Sequence, residues 1–256
     1  MVLGFLFEER ILLIMHRKGS EVIIRLATIA LLGSLGFVLM AFCRIPYPFA
    51  PWLMIEFSEV TVLIAYALYG FVGGLSVSII KTSLDLAVHG LTDGLGIGHM
   101  TAIFTSLMFV LGLFITSHCL KMFKKGLLFR IIAYISITIF VSFVMTSLNA
   151  LFITPSYLSA YGDNPHFSFC FQDGVIADVI HYFDEKASNI GAWPYLGLIF
   201  SIYFPFNLMK CSLCFVIYEL LFNRLIFVFL KRSPKMKKYF HGSITKKEED
   251  NQQENK

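Results

Sequence analysis

The sequence predicts an all-α integral membrane protein, a bundle of six transmembrane helices with both termini cytoplasmic. Hydrophobic residues make up 57% of its 256 positions and charged residues only 15%, against about 25% charged in soluble domains. The mean hydropathy is +0.72. Six apolar stretches follow one another, separated by charged or Gly- and Pro-containing segments, and most approach the roughly 20 residues needed to cross a hydrocarbon core. The basic residues are segregated by connection. Arg10, Arg17, Lys18 and Arg25 precede the first stretch, Lys121, Lys124, Lys125 and Arg130 border the fourth connection, and Lys231, Arg232, Lys235, Lys237 and Lys238 follow the sixth. The opposite connections hold only Arg44 and Lys186. The excess of Lys and Arg on cytoplasmic loops places both termini inside. Because the net charge of +4 is spread over separate loops and forms no patch, nucleic acid is not an expected partner.

In order, residues 1–24 read as an amino-terminal cytoplasmic or interfacial segment. It is apolar but interrupted by Glu8, Glu9 and Arg10, and it has neither the basic n-region nor the small-residue cleavage site of a signal peptide. The membrane domain covers 25–230, with spans at about 25–43, 57–71, 73–89, 98–120, 127–152 and 195–223; residues 231–256 form a polar cytoplasmic tail, disordered from about Ser243. In the first span Ala27, Ala30, Gly33, Ser34 and Gly36 recur at helical spacing, and Ala30-x-x-x-Ser34 is a small-xxx-small pair that lets another helix approach closely. Three prolines in Arg44-Ile45-Pro46-Tyr47-Pro48-Phe49-Ala50-Pro51-Trp52 forbid a regular helix, and its aromatics suit an interface or a cap over an apolar ligand. Glu56, Ser58 and Glu59 mark the amino-terminal end of the second span. Gly73-Gly74 separates it from the third, which carries Lys81 and Asp85 as an i,i+4 pair, either mutually neutralising or part of a polar cavity. A turn-rich Gly loop precedes the fourth span. In the long acidic connection 155–194, Val175, Ile176, Val179, Ile180 and Phe183 recur with helical period and predict a short amphipathic helix over the membrane surface.

The candidate site residues are the polar ones that lipid would reject. Lys210 lies within the sixth apolar stretch, where a charge costs about 2.5–3.5 kcal/mol on insertion scales. Asn207, three residues earlier, shares its helical face. Asn149 lies near the end of the fifth span, on the outward side that the charge rule gives to Asn207 as well. Snorkelling of Lys210 to the interface, or helix packing by the Asn, is the plainer reading of either residue alone. The five cysteines show no metal-site pattern, and Cys211 and Cys214 read as small apolar packing residues. No metal site is expected.

These residues together resemble the substrate-binding S components of energy-coupling factor (ECF) transporters, most of all the riboflavin-specific ones. The resemblance covers roughly 26–225 and rests on five pieces. They are Ile29-Ala30-Leu31-Leu32-Gly33-Ser34-Leu35-Gly36-Phe37-Val38-Leu39-Met40, Ile55-Glu56-Phe57-Ser58-Glu59-Val60, the Gly-Gly-x-x-x-x-x-Ile-Lys segment Gly73 to Lys81, Asn149-Ala150-Leu151-Phe152-Ile153-Thr154-Pro155, and Pro205-Phe206-Asn207-Leu208-Met209-Lys210. It implies a high-affinity riboflavin-binding subunit of a bacterial plasma membrane, mediating vitamin uptake. Asn149, Asn207 and Lys210 would hydrogen-bond the isoalloxazine and ribityl groups. Ala30 and Ser34 would dock on the transmembrane coupling subunit, which works with two ATP-binding-cassette ATPases. Two features depart from the family pattern: the 155–194 connection is longer than usual, and Thr61 stands where Pro is common.

An Asn side chain suits the polar imide edge of a flavin, offering one donor and one acceptor. The chain has no intrinsic cofactor motif and no phosphate cradle, neither G-x-x-x-x-G-K-[ST] nor G-x-G-x-x-G, so the partner subunits would hydrolyse ATP. Alternatives are an S component for another vitamin such as pantothenate or folate, a non-transporting membrane protein, and an intramembrane enzyme. The last would need H-E-x-x-H or a Ser/His couple at depth, which the seven His do not supply, so the chain is not expected to be an enzyme. The start Met1-Val2 offers no His for a nickel or cobalt component.

Overall fold

The computed structural model describes residues 2–91, 95–120, 127–161 and 166–232, with side chains over 22–91, 95–120, 128–161 and 166–221. The basic connection at 121–126 and the tail expected to be disordered lie outside the described residues, as does the centre of the Gly loop. Seven helices and one two-stranded hairpin occur among the described residues: α1 (Val2–Phe42), β1 (Ile45–Tyr47), β2 (Ala50–Ile55), α2 (Glu59–His89), α3 (Ile97–Phe114), α4 (Leu127–Leu148), α5 (Thr154–Ala160), α6 (Val175–Phe183) and α7 (Ala192–Arg232). A π-helical turn extends α3 over Ile115–Cys119, and another joins α4 to α5 over Asn149–Ile153.

Among the described residues five helices are long and apolar enough to cross a membrane: Val22–Phe42, Glu59–His89, Ile97–Cys119, Leu128–Ala160 and Ala192–Leu221. The expected second and third spans are the two legs of one of them. α2 breaks at Gly70, where φ 73° and ψ −160° lie in a region open essentially to glycine alone. Beyond that residue the chain doubles back: a Cβ on Gly73 would come 2.9 Å from the Ala65 carbonyl oxygen, eight positions earlier, a distance no continuous helix allows. The expected break at Gly73-Gly74 is therefore corrected to Gly70. The two later glycines lie inside the returning leg, where their missing side chains let the legs touch. The first leg, 59–69, is shorter than the span expected at 57–71. No break separates the amino-terminal segment from the first span, since α1 runs through both.

α1 packs on α2, α2 on α3, and α4 on α7. The shared core is built from side chains such as Leu63, Val77, Phe109, Ile137, Val141 and Phe215, all buried. Outward faces carry Leu26, Leu31 and Leu35 on α1 and Ile132, Ile135, Ile139 and Phe143 on α4, all exposed. Apolar surface this extensive is rare on water-soluble monomers and fits contact with lipid.

The prolines of 44–52 produce a hairpin. Ile45 pairs with Ile55 and Tyr47 with Ala50 in antiparallel register. Pro46 and Pro51 are tolerated because both strands of a two-stranded ribbon are edges. Tyr47, Ala50 and Ile55 turn inward while Phe49 and Trp52 stay exposed. The period of 175–183 is realised as α6, whose Val179 and Ile180 are buried against Tyr195, Ile199 and Tyr203 of α7.

Candidate functional site

The hairpin, α5 and α6 gather at one end of the bundle, over the ends of α4 and α7 that carry Asn149 and Asn207. Asn149 opens the π-helical turn ahead of Pro155. Proline has no N–H and its ring crowds the carbonyl four residues back. Here the ladder widens so that Thr154 N–H reaches the Asn149 carbonyl, the kind of local bulge that recurs at functional sites. Asn149 is buried and its Nδ2 donates to the Met145 carbonyl at 2.8 Å. The same amide has a second N–H and a carbonyl oxygen. On α7 the inward face repeats as Tyr195, Ile199, Tyr203, Phe206, Asn207, Cys211, Cys214 and Tyr218, the spacing of a helix buried on one side. Pro205 falls on its exposed face. Asn207 Nδ2 lies 3.5 Å from Thr146 Oγ1, one turn before Asn149, so both predicted amides are buried along the α4–α7 contact, about one helical turn apart on the α4 side.

Aromatic rings close this end. Tyr47 meets Phe206 edge-on at 5.5 Å between ring centres, and Trp52 meets Phe183 at 5.7 Å. The hairpin and α6 are thereby tied to the same helix. Tyr195 Oη donates to the Ala150 carbonyl, fixing α7 to the π-helical turn.

Lys210 is placed on the same face but is engaged by a carboxylate. Its Nζ lies 3.1 Å from Glu56 Oε1, on the segment between the hairpin and α2. Ser58 Oγ donates to Glu56 Oε2 at 3.1 Å and accepts from Lys81 Nζ at 2.8 Å. Lys81 Nζ also donates to Glu59 Oε1 at 2.7 Å, and Ser106 Oγ of α3 donates to Glu59 Oε2 at 2.8 Å. Two lysines and two glutamates from α7, the hairpin connection and both legs of α2 thus form one hydrogen-bonded chain reaching α3.

The expected mutual pairing of Lys81 and Asp85 is corrected: each has other partners. Asp85 Oδ1 is 2.9 Å from His89 Nδ1 and 3.5 Å from an Arg44 guanidinium nitrogen. Its Oδ2 is 3.1 Å from His99 Nε2, though not at a hydrogen-bonding angle. The i,i+4 spacing was satisfied in sequence, but the fold-back at Gly70 brings Glu59 nearer. Sequence reasoning assigned no ligand-facing role to Glu56, Ser58, Ser106 or Thr146. The signal for the acids was available, since few intramembrane charges can go unmatched and two lysines call for two carboxylates.

Ala30 and Ser34 lie together on the exposed face of α1, turned away from the face on which Gly36 meets Lys81; Ser34 Oγ donates to the Ala30 carbonyl at 2.9 Å. Gly33 and Gly36 face inward, where a Cβ would come within 2.5 Å of Ile80 and 2.6 Å of Thr61 respectively. The small residues of the first span therefore divide into an internal pair, Gly33 and Gly36, and an external set, Ala27, Ala30 and Ser34. The five cysteines are free, with Cys211 and Cys214 buried as packing residues. Among the described residues no group of His, Cys, Asp and Glu is arranged to hold a metal ion.

A family model described as "ECF transporter, substrate-specific component" matches residues 24–222. Riboflavin transporter FmnP of Bacillus subtilis (strain 168) is 30% identical over 136 residues, 52% of this chain and 68% of that protein. Riboflavin transporter RibU of Staphylococcus aureus (strain TCH60) is 27% identical over 209 residues, 81% of this chain and 93% of that protein. The solved structure of the S component of a bacterial ECF transporter superposes with a TM-score of 0.55 at 23% identity, covering 80% of this chain and 96% of that one. At that identity the likeness speaks for the fold alone.

Proposed function

We propose, starting from the fact that this chain belongs to the family of substrate-specific components of ECF transporters, that it is the riboflavin-binding subunit of such a transporter. The family consists of transport components, not enzymes, and vitamin uptake is the function that membership carries. The observation that supports riboflavin is the burial of Asn149 and Asn207, two amides from different helices along the α4–α7 contact, near an aromatic cap. Two similar proteins that are riboflavin transporters agree with it. Amides pair with the donor–acceptor edge of the isoalloxazine, Lys210 contributes a cationic donor, and Tyr47, Trp52 and Phe206 offer surfaces for a flat ring.

In this reading the two legs of α2 count separately, giving six membrane segments with both termini in the cytoplasm of a bacterial cell and the aromatic cap outside. Ala30 and Ser34 present the coupling face to a transmembrane partner, and two ATP-binding-cassette ATPases supply the energy. Fluorescence quenching of riboflavin by the detergent-purified chain, run beside pantothenate and folate competitors, tests the assignment. Saturable quenching that the competitors leave unchanged is expected. Absence of quenching, or its loss to pantothenate or folate, would overturn it.

A further inference from the structure

The charges around the proposed pocket balance within a closed set. Lys210 faces Glu56 at 3.1 Å and Lys81 faces Glu59 at 2.7 Å, joined through Ser58. Glu59 and Lys81 are fully enclosed, and the side chains of Glu56 and Lys210 retain only 11% and 14% exposure. Arg44, the cation next along the chain from the hairpin, is directed to Asp85, and Lys186 lies on the exposed loop beyond α6. The amides of Asn149 and Asn207 add hydrogen-bonding capacity without charge. An anionic ligand entering here would find each lysine already matched by a carboxylate, in surroundings where water screens poorly.

Resting on the flavin reading above, we infer that Glu56 is a specificity-determining residue: by neutralising Lys210 it makes the site accept riboflavin and disfavour its 5′-phosphate. Glu56 is suited to this because it sits on the connection between the hairpin and α2, touches the one cation the ligand would share, and has its second oxygen held by Ser58. A unit charge acting over about 10 Å at an effective dielectric constant of about 20 corresponds to more than tenfold in affinity. Removing the charge while keeping the shape should therefore free Lys210 to attract the phosphate.

The test is fluorescence quenching with the full chain, stripped of bound flavin, against riboflavin, riboflavin 5′-phosphate and uncharged 5′-O-acetylriboflavin. The unaltered chain should bind riboflavin at least about tenfold tighter than the phosphate and the acetyl ester nearly as well as riboflavin. Glu56→Gln should narrow the riboflavin-to-phosphate ratio by about tenfold or more, while Glu56→Asp, which keeps the charge, retains it. A narrowing smaller than that in Glu56→Gln assigns Glu56 a purely structural role and overturns the inference. Equal weakening by acetyl and phosphate groups also overturns it, because size then replaces charge, and this comparison needs no variant to fold. If the unaltered chain bound none of the three, the flavin reading itself would fail, an outcome distinct from an unchanged ratio.

Discussion

Replacing Lys81 with Met removes a cation of 0% side-chain exposure and leaves Glu59, equally enclosed, with the hydrogen bond from Ser106 but without its paired charge. Breaking a buried pair by removing one partner costs about 3–5 kcal/mol, most of it from the stranded charge. The double variant Lys81→Met/Glu59→Gln removes both charges, so it should be less destabilised than Lys81→Met alone. The coupling between the two positions should reach about 2–3 kcal/mol in a double-mutant cycle. The cycle between Lys81 and Asp85 should give less than about 1 kcal/mol, because Asp85 is turned to Arg44, His89 and His99. Unfolding of the detergent-solubilised protein by titrated SDS measures both cycles on one scale. A Lys81–Asp85 coupling as large as that between Lys81 and Glu59 would refute the charge network described above.

Gly70→Ala forces a side chain into φ 73°, ψ −160° and should destabilise the same protein by about 1–3 kcal/mol, whereas no loss of stability would mean the turn is made elsewhere. Leu at Ala30 or Ser34 should abolish uptake in cells while the purified protein binds flavin normally, since both positions are exposed and face away from the charge network; loss of binding as well would show that the substitution acts through the fold. Asn149→Ala or Asn207→Ala should weaken riboflavin binding by roughly five- to 150-fold, the worth of about 1–3 kcal/mol when a buried ligand group loses its partner, and unchanged quenching titrations would remove that residue from the site. A cysteine introduced at Asp173 should react with an impermeant thiol reagent added to intact cells, and protection there would invert the proposed orientation.

The helices were readable because lipid enforces apolar runs of spanning length, and the face of α7 because burial repeats every three to four residues. Asn149, Asn207 and Lys210 stood out for the same reason, being polar where polarity is costly. The partners of those residues were not readable. Lys81 and Asp85 satisfy the helical pairing rule, and only the reversal at Gly70 shows that Glu59, 22 positions away, takes Lys81 instead. Glycines at 70, 73 and 74 all permit a turn; the sequence favoured the doublet, while the reversal uses the single one and spends the doublet on close packing. The hairpin at 45–55 was visible as non-helical through its prolines, but strand pairing depends on register, which local composition does not state.

The brevity of the first leg of α2 has a consequence for how deep the ligand must travel. Residues 59–69 rise only about 16 Å at 1.5 Å each, and 71–89 about 28 Å, while the hydrocarbon layer is about 30 Å thick. In the proposed topology, with the reversal at Gly70 near one surface, Glu59 and Lys81 would stand not far past the midplane, beneath the end that the hairpin, α5 and α6 close. In the proposed reading the hairpin works as a stopper over the site, and how often it lifts would set the rate at which a bound molecule escapes.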